Sequence, residues 1–84
     1  MRPVVAIYDA KLAVFRHPYP ATTKAEAMRD FSDAVNDEKS KLNKHPEDYT
    51  LFHIADWDES KAQYQNLQAP VALATALEFK NAVQ

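Results

Sequence analysis

Thr23-Lys24-Ala25-Glu26-Ala27-Met28-Arg29-Asp30-Phe31-Ser32-Asp33-Ala34-Val35 organises the rest of the chain. Thr23 and Glu26 fit a capping box, in which the hydroxyl and the carboxylate three residues on satisfy amides left open at a helix start. Ala27, Met28, Phe31, Ala34, Val35 and Leu42 then recur near a spacing of 3.6, with acids and lysines on the other faces. Lys39, Lys41 and Lys44 suit a helix C-terminus and Pro46 blocks extension, so the pattern predicts a helix over 23–42.

Upstream, Val4 to Tyr8 is a β-rich run stopped by Asp9-Ala10-Lys11, and Leu12 to Phe15 can return as its partner. Leu12 and Val14 would share one face, Ala13 and Phe15 the other. Pro18 and Pro20 are expected to end that hairpin, because proline brings no donor to a ladder. Downstream of Pro46, Tyr49 to Ala55 reads as a central strand, Asp56 to Lys61 as a turn, and Ala62 to Leu67 as a polar edge strand. Pro70 fits the first position of a short helix carrying Val71, Leu73, Ala74, Ala76, Leu77 and Phe79, and the last residues are expected to fray. The expected fold is therefore α+β, a ββαββ(α) single domain over residues 1–84 with a mostly antiparallel sheet packed on one main helix. Ile7-x-Asp9, a hairpin, Pro18 and a helix are echoed by Ile54-x-Asp56, a hairpin, Pro70 and a helix, a likeness that short α+β units also produce by chance.

Composition narrows the function. The chain has 84 residues, 46% hydrophobic and 26% charged, enough for one modest core. It contains no glycine, where average usage of about 7% would give roughly 6, so glycine-dependent phosphate loops and dinucleotide fingerprints are excluded. It contains no cysteine, which removes disulfides and thiolate metal sites. No apolar run is long enough to span a membrane and the N-terminus lacks a signal layout, so the expected location is the cytoplasm of the cell that makes it. The net charge of −2 conceals a bipolar chain: residues 1–29 carry five bases against two acids, and residues 30–60 carry three bases against nine acids.

No catalytic set emerges. His17, His45 and His53 form no i, i+4 pair, and Asp56-Trp57-Asp58-Glu59 lacks the glycine and distal glutamate of a calcium loop. Asp30, Asp33 and Asp37 read as a solvated helix face or a charged surface for a partner. The expectation is a protein without enzymatic activity, metal or cofactor. Phe15, Arg16, His17 and Tyr19 instead interleave π surfaces with cationic groups, the combination that binds single-stranded nucleic acid. Arg2, Lys11, Lys24 and Arg29 can extend that surface. Lys39, Lys41 and Lys44 form a second basic cluster, equally explained as helix C-terminal charge.

Ala27-Met28-Arg29-Asp30-Phe31, Val35-Asn36-Asp37, the block from Lys44-His45-Pro46-Glu47-Asp48-Tyr49 to Phe52, and Asp56-x-Asp58 closely resemble the small nonstructural protein of gokushovirus-type microviruses. Ile7-Tyr8-Asp9 and Pro70, Leu73, Ala76 and Phe79 extend the resemblance over nearly the whole chain. These are tailless phages with circular single-stranded DNA. The resemblance implies a DNA-binding protein, likened to microvirus protein C, that acts at the switch to genome synthesis and packaging. It carries no catalytic motif. The chain departs from the family pattern where glycine is expected, near Ala55 and in the turn Ser60-Lys61-Ala62. The leading expectation is a phage accessory protein binding DNA, single-stranded favoured, assembling as a homodimer or higher homo-oligomer, with a viral replication protein or procapsid as a further partner. The alternative is a homodimeric protein–protein adaptor with no direct DNA contact, formed through exposed strand edges or the helix face.

Overall fold

The computed structural model describes residues 1–82 of the chain, and the fraying expected of the last residues falls outside them. Four antiparallel strands form one sheet in the order β2-β1-β3-β4: β1 Arg2–Asp9, β2 Val14–Pro20, β3 Tyr49–Asp58 and β4 Gln63–Thr75. Helices α1 Lys24–Val35, α2 Lys41–Lys44 and α3 Ala76–Ala82, with a 3-10 turn at Pro46–Asp48, supply the α part of this α+β fold. Among the described residues no helix is long and apolar enough to cross a membrane.

The Thr23 cap forms as expected, and the Glu26 carboxylate reaches back one amide beyond it. The Glu26 amide donates to Thr23 Oγ1 at 3.1 Å, and Glu26 Oε1 accepts the Thr22 amide at 3.4 Å. Ala27, Phe31 and Val35, spaced by four, are buried with Val5, Tyr49 and Leu51, and Phe31 meets Phe79 of α3 edge-on at 6.0 Å. Each large apolar side chain in this core contributes about 1.5–3 kcal/mol.

The single helix expected over 23–42 is broken in two. Its interior carries side chains that compete for the backbone. The Asn36 side-chain amide donates to the Ser32 carbonyl, Asp37 Oδ1 takes the Lys39 amide, and Ser40 Oγ accepts from the Asn43 amide while donating to the Ala34 carbonyl. α1 therefore stops at Val35, and Ser40 caps the separate four-residue α2, which still brings Leu42 to the core.

Four strand boundaries also differ. Leu12 lies in the first hairpin turn, 56% exposed, and β2 starts at Val14. Pro18 and Pro20 do not end the ladder: Tyr19 and Pro20 still pair with Val5 and Val4, because β2 is a sheet edge where a missing donor costs nothing and a bulge at His17, φ 55°, absorbs the irregularity. Asp56, Trp57 and Asp58 belong to β3, and the turn begins only at Glu59. Pro70 starts no helix. It lies in edge strand β4, where residues 67–70 bow out between the pairs Ala55–Asn66 and His53–Val71. α3 begins instead after Thr75, whose hydroxyl accepts the Glu78 amide while Glu78 Oε1 takes the Thr75 amide, each at 3.3 Å, a second capping box. β3 is central, as its two apolar faces imply.

Candidate nucleic-acid interface

The two hairpins are built alike. Asp9 Oδ1 accepts the Lys11 and Leu12 amides, and Asp58 Oδ1 accepts the Ser60 amide and hydroxyl. The hydroxyl bond is the main reason the Asp58 carboxyl lies below the usual carboxylate value. Four residues after each aspartate an alanine takes the left-handed conformation: Ala13 at φ 57° and Ala62 at φ 56°. Glycine is favoured there, so the turn Ser60-Lys61-Ala62 is where its absence matters. Ala55 sits buried in β3 and requires no positive φ.

Strand pairing assigns the faces, since residues directly opposite one another in a ladder point to the same side. Along β1, Val5 and Ile7 face the helices, so Arg2, Val4, Ala6 and Tyr8 face away. Their partners are Trp57, Ala55 and Phe52 on β3 and Phe15 on β2, and Tyr64 of β4 lies opposite Trp57. A bulge at Ile54 makes this possible: it moves Ala55 and Trp57 to the face opposite His53. The face without helices thus carries five aromatic rings. Tyr8 and Phe15 stack tilted at 4.7 Å and 50°, with Phe52 edge-on to both at 6.0 and 5.3 Å. Trp57 and Tyr64 repeat the arrangement at 4.7 Å and 51°. Between the two groups, Val4, Ala55 and Asn66 floor a cleft of about 300 Å³ whose walls include Pro18, Ile54 and Tyr64.

The expected site residues separate. Phe15 lies on the aromatic face, 45% exposed. Arg2 also lies there, but its Nε donates to Glu59 Oε1 at 2.8 Å. Tyr19 pairs with Val5 and packs against the core while also lining the cleft between the two ring groups; burial, and then Asp30 and Glu26, hold its hydroxyl above the ordinary value. Lys24 and Arg29 are exposed on α1, in the helical layer behind the sheet. Lys39 lies in the loop after α1 and Lys44 is exposed at the end of α2.

Arg16 and His17 of the first basic cluster do meet Lys41 of the second. Arg16 pairs with Ile7 and so faces the helices, where it lines a recess of about 210 Å³ with His17, Lys41, Ile7, Leu42 and Tyr49. Burial raises the Tyr49 hydroxyl, Asp9 adds to the effect, Arg16 opposes it, and Asp48 raises it further. Lys11 lines an adjoining hollow of about 350 Å³ with Asp9, His45, Glu47 and Asp48. His45, Glu47 and Asp48 hold potential ligand atoms within 4.8 Å of one another, but the first two are exposed, as in an ordinary solvated turn.

Tyr8, Phe52, Trp57 and Tyr64 were not among the expected site residues. Their signal is the seven-residue spacing Tyr8–Phe15 and Trp57–Tyr64, each straddling a turn of the form Asp-x-x-x-Ala.

Fold and surface define a small α+β protein with one helical face and one aromatic face. The chain matches the phage ORF5 protein family over residues 3–79 and belongs to that family, a family of bacteriophage proteins. No curated protein and no solved structure matches it.

Proposed function

We propose that this is a non-enzymatic phage accessory protein that binds single-stranded DNA during genome replication and packaging, stacking bases on the uncovered face of its sheet. The observation that carries the reading is the five-ring face of Tyr8, Phe15, Phe52, Trp57 and Tyr64, of which Phe15 and Tyr64 are 45% and 61% exposed. Aromatic rings bind unpaired bases without regard to sequence, because every base has a π face. Duplex DNA hides those faces, which favours single strands. Membership in a phage family supports the viral setting, and the resemblance of the block from Lys44 to Phe52 to gokushovirus-type proteins supports a phage with a single-stranded genome. The protein then works in the host cytoplasm, and its acid-rich segment 30–60 is left to meet a replication protein or procapsid.

Trp57, the only tryptophan, reports directly on this face. Its fluorescence should be quenched by a short oligothymidylate and far less by the matching duplex, with affinity falling as salt rises. No quenching and no change in anisotropy at low salt rejects the reading.

A second reading is a homodimeric adaptor that pairs these aromatic faces and contacts no DNA. The observation favouring it is charge: the cation on the face, Arg2, is already paired with Glu59. Sedimentation distinguishes the two, since here Phe15→Ala with Tyr64→Ala should convert a dimer to a monomer.

A further inference from the structure

The aromatic face supplies stacking but almost no free positive charge, whereas affinity for a nucleic acid comes largely from its phosphates. The free charge lies just around the edge of β2. Phe15 and Arg16 are neighbours on that edge strand and project to opposite faces of the sheet. Arg16 shares its recess with His17, carried by the bulge, and with Lys41 of α2, so groups distant in sequence converge there. The lining contains no carboxylate, and none of the three makes a salt bridge among the described residues. Asp9 and Asp48, which act on Tyr49 from the other side, line the adjoining hollow; Asp9 is engaged by the Lys11 and Leu12 amides. Tyr49 at the rear keeps its proton at neutral pH and so can donate to an oxyanion.

We infer that the recess lined by Arg16, His17, Lys41 and Tyr49 is a phosphate-binding site, and that it takes a backbone phosphate of the same DNA strand whose bases stack on Phe15. The second half rests on the single-strand reading above; the first does not. Arginine presents a planar fork of donors that matches phosphate oxygens, and Lys41 adds a point charge from α2. Because β2 is a sheet edge, no neighbouring strand blocks a chain that bends around it. The bound strand therefore straddles the edge, with bases on the aromatic side and a phosphate on the helical side.

The test uses the full chain and three probes: inorganic phosphate, an oligothymidylate, and an abasic oligomer of the same length. Inorganic phosphate at low salt should shift the amide resonances of Arg16, His17 and Lys41. Arg16→Gln with Lys41→Gln should abolish those shifts and lower the slope of log affinity against log salt for oligothymidylate by about 1.4, two contacts at about 0.7 each. Lys24→Gln with Arg29→Gln should leave the slope unchanged. The abasic oligomer should keep its dependence on Arg16 and Lys41 but lose nothing further when Phe15 and Tyr64 become alanine. Phosphate shifts at the recess without oligomer binding would uphold the phosphate site and overturn its link to DNA. Oligomer binding with an unaltered slope in the Arg16/Lys41 variant, melting as wild type, or the absence of phosphate shifts at these three residues, overturns the site itself.

Discussion

Ala13 and Ala62 close their hairpins in the same left-handed conformation, φ 57° and 56°, four residues after the aspartates that cap the turns. An L-residue with a Cβ resists that conformation by about 1–2 kcal/mol, and a chain without glycine bears the cost at both turns, as it does at His17 in the β2 bulge. Ala13→Gly and Ala62→Gly should each stabilise the protein. The relief exceeds the extra freedom glycine gives the unfolded chain, leaving a net gain up to about 1 kcal/mol, or about 4–8 °C in Tm. Thermal melting of the single and double variants checks this; a lower Tm for both refutes it.

Phe31 is 3% exposed and packs between the sheet and Phe79. Phe31→Ala should lower stability by about 3–5 kcal/mol through lost burial and the cavity left behind. Urea unfolding measures it, and a midpoint near wild type contradicts the packing described.

Phe15→Ala and Tyr64→Ala should each weaken oligothymidylate binding by about 1–3 kcal/mol, the scale of one stacked base. Because both rings are substantially exposed, the melting temperature should move much less than for Phe31→Ala. Tyr19→Ala should do the reverse, since that ring serves the core. Anisotropy titrations beside melting curves separate the two effects.

Tyr49 titrates above the ordinary tyrosine value, chiefly because burial disfavours the phenolate and then because Asp9 lies near, and Tyr19 does so chiefly through burial and then Asp30. For a folded pKa that is raised, the stabilisation is complete below the unfolded pKa of about 10 and is lost as pH climbs through the folded value. Stability should therefore fall above about pH 10, and Tyr49→Phe should flatten that fall. Denaturant midpoints across the alkaline range, read beside tyrosinate absorbance, provide the measurement.

Asp58 behaves oppositely. Its carboxyl is held low chiefly by the Ser60 hydroxyl, so its contribution is present above the ordinary carboxylate value and disappears as pH falls through the folded one. Ser60→Ala should raise the Asp58 pKa toward the ordinary value in a carbon-detected NMR titration, and an unchanged Asp58 titration refutes this.

The start of α1 was legible because a capping box involves residues three apart: Thr23 and Glu26 announce it, and Thr75 and Glu78 announce α3 in the same way, although Pro70 offered a competing start. The alternating core positions Val5 and Leu51 and the central place of β3 could likewise be read from local pattern. The break at Asn36–Ser40 could not be read from apolar spacing alone, since Leu42 keeps the helical period while Asp37 and Ser40 divert the backbone.

The site divides along the same line. Residue type alone already marked Phe15, Arg16, His17 and Lys41 as able to stack or to carry charge. Which of them share a surface depends on the bulges at His17 and Ile54, because a shift of one residue in a ladder of period two sends every later side chain to the other face. Those bulges put Trp57 and Tyr64 on the same side of the sheet as Tyr8 and Phe15, while edge-strand geometry turns Arg16 toward Lys41. The chemistry was written in the side chains, and their grouping into an aromatic face and a cationic recess came from long-range strand pairing that no local pattern encodes.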